Sequence, residues 1–258
     1  MKKCILNSGI FIIPFLIVGI LGFSWCKREL EIYVCHYTDE KITIDGIFDE
    51  SCWRKANKIK FYHLEKTHTE PQRHPAPFSP TTARLLWDKE YLYFAMEAED
   101  KDIWGTITEH DSVLCNEDVL EIFLKPRENK YSYYEFEISP KNVTWDLFYP
   151  SRGVSAGGPF QKRWSKYESN LKSATKVYGT LNKWKDKDEK WTLEVAIPFS
   201  SLKEVIAGTP RNGEQWRFAL CRYDYSVYLE NYEYSSSARL SLVWFHKYED
   251  YNILEFRK

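Results

Sequence analysis

The feature that most limits what this chain can fold into is a two-residue alternation in short, ring-rich runs. In 118–125 (DVLEIFLK), Leu120, Ile122 and Leu124 fall on one side and Glu121, Phe123 and Lys125 on the other. Successive side chains of a strand point to opposite faces, so this is the pattern of a pleated segment with one face in a core. A second run, 131–139 (YSYYEFEIS), follows a charged turn at 127–130. The pair 82–87 (TARLLW) and 91–99 (YLYFAMEAE), joined by Asp88, Lys89 and Glu90, has the form of a hairpin. Further strand-like runs occupy 143–149, 172–181, 190–197, 216–224, 238–244 and 252–256, and ITI at 42–44 leads into an Asp45–Gly46 turn.

Helical signals are few. Phe48, Cys52 and Ala56 stand at spacing four in a short piece over 49–56, and Pro198 opens a short helix over 198–206. Residues 65–80 carry four prolines and 150–161 carry Gly153, Gly157 and Gly158, so both read as loops. With no repeat period and no low-complexity linker, the expectation is one all-β domain, an antiparallel β-sandwich of jelly-roll or immunoglobulin-like type with one short helix. Aromatic residues, at 17%, suit this, because rigid rings pack well on pleated surfaces and also offer flat faces for recognition. Formal net charge is −1, so there is no basic field for nucleic acid.

The first segment reads as an address. Lys2 and Lys3 precede an apolar run over 10–25 that ends at Cys26, the build of a secretory signal. An apolar run followed by cysteine and then Lys27 and Arg28 also resembles a bacterial lipoprotein signal, with Cys26 the candidate lipidation site and a membrane-anchored product. Trp25, where a small residue is usual, keeps a plain signal peptide or an uncleaved anchor open. Each reading exports the rest, to the cell envelope or outside. The division expected is 1–26 signal or anchor, 27–41 spacer and 42–258 folded domain. Six scattered cysteines contain no C-x-x-C pair, which fits buried small hydrophobes better than a zinc or redox motif.

Several segments in order resemble carbohydrate-binding module family 9 and its DOMON-like relatives: ITIDGIFDESCW at 42–53, LLWDKEYLYFAMEAED at 85–100, NEDVLEIFLKP at 116–126, YYEFEIS at 133–139, WDLF at 145–148, WTLEVAIPFSSL at 191–202, WRFALCRYD at 216–224 and FHKYEDYNILEF at 245–256. The resemblance implies a β-sandwich with a ligand cleft on one face and non-catalytic binding of oligo- or polysaccharide, in association with polysaccharide catabolism. In that family a terminal sugar lies between two Trp rings while charged and amide groups bond its hydroxyls. Glu121 falls on the acidic sugar contact. Cys115 stands where the first platform Trp would be, Glu137 where an Arg contact would be, and Cys221 where a Gln contact would be. Two cysteines mapped to one cleft leave open a disulfide between them or two separate thiols.

The candidate saccharide-binding residues are therefore Glu121, Glu137, Trp145, Trp164, Tyr223, Cys115 and Cys221, with Trp104 a further stacking surface. Alternation puts Glu121 and Glu137 on the face away from the core, as a polar cleft or as two solvated carboxylates. The pair also admits a glycosidase reading, because any two carboxyls at the right separation meet its geometric demand. No catalytic residue is assigned. No cofactor is required. Calcium is admitted as a structural ion at the acidic stretches 97–102 and 186–189, although lysines interrupt both and no EF-hand spacing is present. Haem carriage, a scaffold or adhesion role, and an accessory role beside a glycoside hydrolase are the alternatives. Met96 reads as a core residue rather than a haem ligand, and His246 as a hydrogen-bonded structural residue.

Overall fold

The alternating runs become strands. The structure, a computed structural model, describes residues 30–65, 73–156 and 167–258, so Cys26, Trp164 and the segment 1–26 lie outside the described residues. In chain order the strands are β1 (Ile32–Tyr37), β2 (Ile59–Lys60), β3 (Tyr62–His63), β4 (Thr81–Trp87), β5 (Tyr91–Glu99), β6 (Val119–Lys125) and β7 (Tyr133–Ile138). After them come β8 (Thr144–Ser151), β9 (Val154–Ala156), β10 (Lys172–Tyr178), β11 (Lys190–Pro198), β12 (Gln215–Asp224), β13 (Glu233–Ser236) and β14 (Asn252–Arg257). They join in one continuous order, β10-β11-β5-β4-β1-β14-β12-β6-β7-β8-β9, with β2, β3 and β13 on side branches.

The sheet curls on itself. Leu85, Phe94, Leu193 and Val195 from one half meet Leu120, Ile122, Phe136, Phe218 and Leu220 from the other in a single buried cluster. Met96 is sealed in this cluster, as its sequence position suggests. Burial of large side chains at about 25 cal/mol per Å² is the main source of stability in such a layer.

Ladders are antiparallel except at the middle, where β1 runs parallel to both β14 and β4. Parallel neighbours cannot be joined by a tight turn: β1 and β14 are the first and last strands of the described residues, and β2 and β3 intervene between β1 and β4. The expected spacer 27–41 therefore contains a strand. Tyr33 and Cys35 are buried at alternate positions of β1, a weak signal in only six residues. Ile42–Ile44, expected as a strand, lies outside the ladders as part of a strap. The 238–244 run also forms turns, closed by Leu240 N–H donating to the Ala238 carbonyl and Trp244 N–H to that of Leu242.

Both helical expectations shrink to single 3-10 turns, Ser51–Lys55 and Phe199–Leu202. Neither has a side-chain N-cap, and a few residues cannot offset helix nucleation. Among the described residues no helix is long and apolar enough to cross a membrane.

Each half of the curled sheet has an outer face, and each face is covered. Over β4, β5 and β11, the strap 42–56 places Ile42, Cys52, Trp53 and Ala56 against Leu86, Tyr93, Ala95 and Ala196. The Asp45–Gly46 turn is present, with Gly46 at φ +82°, where a Cβ would stand 3.0 Å from the Thr175 backbone. Over β6, β7 and β12, residues 238–251 bring Ala238, Leu240, Phe245 and Tyr251 down onto Phe123, Tyr133, Ala219 and Cys221. This second cover makes the candidate site.

Candidate functional site

Register places the predicted residues side by side. Glu121 of β6 is directly opposite Glu137 of β7, Glu137 opposite Trp145 of β8, and Glu121 opposite Cys221 of β12. Cys221, Glu121, Glu137 and Trp145 thus form one row across the outer face. One step along, Glu135 points the same way from β7, opposite Phe123 and Leu147.

The carboxylates are not solvated. Glu121 is 1% exposed, Glu137 3% and Glu135 4%. Alternation identified the face correctly, but that face is roofed by 238–251 and by the turn at Cys115, which local sequence does not announce. Carboxylate oxygens of Glu121, Glu135 and Glu137 all lie within 4.8 Å of one another. One oxygen of each, Oε2, is buried with no hydrogen-bond partner. Such atoms are uncommon, since an unpaired buried polar group costs about 1–3 kcal/mol.

The electrostatics follow. Burial first, then the neighbouring carboxylates, pushes Glu121 and Glu137 well above the usual carboxylate range. The backbone N–H groups of Leu114 and Cys115 offset part of this at Glu137. Glu135 is raised to about 7 by burial, with a hydrogen bond from the Tyr149 hydroxyl pulling the other way. Burial, followed by the fields of Glu137, Glu121 and Glu135, lifts the Cys115 thiol to about 12.

Around the carboxylates stands a wall of rings. Tyr133 and Tyr149 stack at 4.5 Å with planes 3° apart, and the Tyr133 hydroxyl pairs with His246 Nδ1 at 2.9 Å. Burial and Arg152 hold His246 down at about 4, so it is neutral at ordinary pH and structural, as expected. Tyr223 stacks parallel to Tyr225 at 6.4 Å and meets Tyr234 and Phe245 edge-on. The Tyr225 hydroxyl donates to the Cys115 carbonyl at 2.7 Å, and Tyr232 lies 5.5 Å from Tyr225 with 42% of its surface exposed.

Of the predicted residues, Glu121, Glu137, Trp145, Cys221, Cys115 and Tyr223 come together, while Trp164 lies outside the described residues. The backbone N–H of Trp104 donates to Asp118 Oδ2 at 2.6 Å. Cys115 and Cys221 are both free thiols, so no disulfide joins them. Cys221 is buried beneath the cover with its Sγ 3.5 Å from Ser236 Oγ, whereas Cys115 is half-buried on the turn before β6. Glu135, Tyr149, Tyr225 and Tyr232 were missed. Glu135 was within reach, standing two residues before Glu137 and hence on its face.

A second acidic cluster sits at the strand ends. Asp100, Asp118 and Asp224 are buried with oxygens within 4.8 Å of one another, and Arg222 contacts Asp100 at 2.8 Å and Asp224 at 3.0 Å. The stretches considered for calcium are held by backbone. Asp188 accepts from Thr180 and Ile103 N–H groups, Asp102 from Val227, and Asp100 from Asp102.

A curled β-sandwich whose outer face carries buried carboxylates ringed by tyrosines defines the class: a β-sandwich module. Residues 44–231 match the carbohydrate family 9 binding domain-like family, and the chain belongs to it. It is 28% identical over 153 residues to a protein of Arthroderma benhamiae named "Extracellular protein", covering 57% of this chain and 64% of that one, under two thirds of its length. Among solved structures, a candidate carbohydrate-binding protein of Bacteroides uniformis shares the fold at TM-score 0.63 and 13% identity, over 89% of this chain and all of that one. A family 9 module of Caldicellulosiruptor kristjanssonii in complex with cellotriose aligns at TM-score 0.55 and 13% identity, over 88% of this chain and 94% of that one. The complex with glucose gives 0.57 and 14%, over 88% and 96%.

Proposed function

We propose that the chain is an exported, non-catalytic module that binds saccharide at the margin of the covered face of β6, β7, β8 and β12, where Tyr225 and Tyr232 reach solvent. The observation that carries this is Glu121: within NEDVLEIFLKP it takes the place of the acidic sugar contact of the family, and it stands in one row with Glu137 and Trp145. A saccharide presents hydroxyl donors to carboxylate oxygens and an apolar C–H face to rings, and Tyr223, Tyr225 and Tyr232 supply rings beside the carboxylates. With cysteines at two family contact positions, the geometry of the grip differs from a two-Trp clamp.

Titration calorimetry of the full chain with glucose, cellobiose and cellotriose tests this. Dissociation constants on the order of micromolar to millimolar are expected, since few buried contacts must offset the ordering of ligand and rings. Glu121→Leu, which removes the hydrogen-bonding carboxyl, should weaken binding about tenfold. Equal affinity of wild type and variant for every bound saccharide would place the site on another face.

A further inference from the structure

Three carboxyls gathered in the interior either keep their protons or take a counterion. The Asp100, Asp118 and Asp224 cluster has one in Arg222. The Glu121, Glu135 and Glu137 cluster has none among the described residues. Facing it are Tyr133 from β7, Trp145 and Tyr149 from β8, Cys221 and Tyr223 from β12, Cys115 from the preceding turn, and neutral His246 with Tyr251 from the cover. Two cations on or next to these strands, Lys125 and Arg152, make contacts elsewhere. Lys125 donates to the carbonyls of Arg127 and Glu128 at 2.7 and 3.0 Å, and Arg152 binds Glu249 through two contacts of 2.7 and 2.8 Å.

We infer that Glu121, Glu135 and Glu137 hold a divalent cation that prefers oxygen ligands. The geometry is suited to it. Ligand oxygens around a calcium-sized ion lie about 2.3–2.6 Å from the metal, so pairs of them are separated by no more than about 5 Å. Oxygens of all three residues fall within 4.8 Å of one another; each Oε2 lacks an outside donor, and Glu135 and Glu137 hydrogen-bond to each other. Carboxylate donors favour calcium, magnesium and manganese over softer metals. Donors stand behind the ligands: the Leu114 and Cys115 N–H groups orient Glu137, and the Tyr149 hydroxyl orients Glu135. Carboxylate ligands bind a cation in their ionised form, so protons compete with it as pH falls.

The test titrates the metal-free full chain with calcium, magnesium and manganese. At pH 7 one cation should bind per chain, with proton release read from heats in two buffers of different ionisation enthalpy. At pH 5 affinity should fall at least tenfold. Glu121→Gln and Glu137→Gln should each weaken that site at least tenfold, while Asp118→Asn, in the Arg222 cluster, should leave it unchanged. No binding by the wild type overturns the inference, as does binding that both glutamine variants retain. If the variants do not fold, terbium emission sensitised by the neighbouring tyrosines reads the wild type directly. Its absence, or its failure to be displaced by calcium, is equally fatal. Saccharide titration with and without cation separates the two readings: sugar binding by a chain that takes no cation refutes only the cation, and the converse refutes only the sugar.

Discussion

The two buried acidic clusters differ in one respect that decides their character. Asp100, Asp118 and Asp224 surround a guanidinium and accept backbone N–H groups, from Asp102 to Asp100, from Tyr225 and Trp104 to Asp118, and from Ser226 to Asp224. Arg222 continues outward to the carbonyls of Ser79 and Glu99 and to Thr81 Oγ1, knitting β4, β5 and β12 at one end of the sandwich. Glu121, Glu135 and Glu137 have no internal cation, stand mid-strand on a sheet face, and keep unpaired oxygens. A cluster with its own counterion is a brace. A cluster without one has capacity left for something that binds.

The largest effect that could break this comparison is loss of the brace. Arg222→Leu leaves two carboxylates without their buried partner and should destabilise the fold by about 3–5 kcal/mol in urea melts. A variant as stable as the wild type would mean that the guanidinium is not what holds those strand ends.

Next in size is the response of the metal-free chain to pH. Glu135 is raised to about 7 and Asp100, by burial, to about 6, so each keeps a proton between pH 4.5 and 6 that the unfolded chain has largely lost. Stability therefore declines as pH climbs from about 5 to 8, with a contribution from Glu135 of up to about 3 kcal/mol. Glu135→Gln, which cannot ionise, should flatten the melting-temperature profile over that interval. An unaltered slope would assign the dependence to Glu121, Glu137 or the Arg222 cluster.

The smallest change sharpens the account of a single contact. Tyr149→Phe removes the hydroxyl that stabilises ionised Glu135 and should cost about 1 kcal/mol at pH 8, with less loss at pH 5. It should also move the Glu135 titration upward, observable by carboxyl carbon NMR.

Much of the fold was legible in single runs. The alternation in β6 separates Leu120, Ile122 and Leu124, which enter the main core, from Glu121 and Phe123, which do not, because side-chain direction is fixed by the pleat. The family followed from the order of several such runs. The strand in 32–37 was hidden because six residues with two buried positions carry little periodic signal, and its parallel neighbours come from far away in the chain. The short helices failed because nucleation needs tertiary help that these segments receive only as single turns.

By itself, then, the sequence determined which residues face which way: Glu121 and Glu137 share a surface, with Cys221 beside Glu121 on the next strand. Only the tertiary structure decided what that surface is. Residues 238–251 close over it, which turns carboxylates of ordinary surface type into buried groups that share protons. Glu135 becomes a third member, and the two thiols stay apart. The reason is physical. Facing is set by the geometry of each strand alone, whereas burial, and with it charge state and binding capacity, depends on which distant segment excludes water from the face.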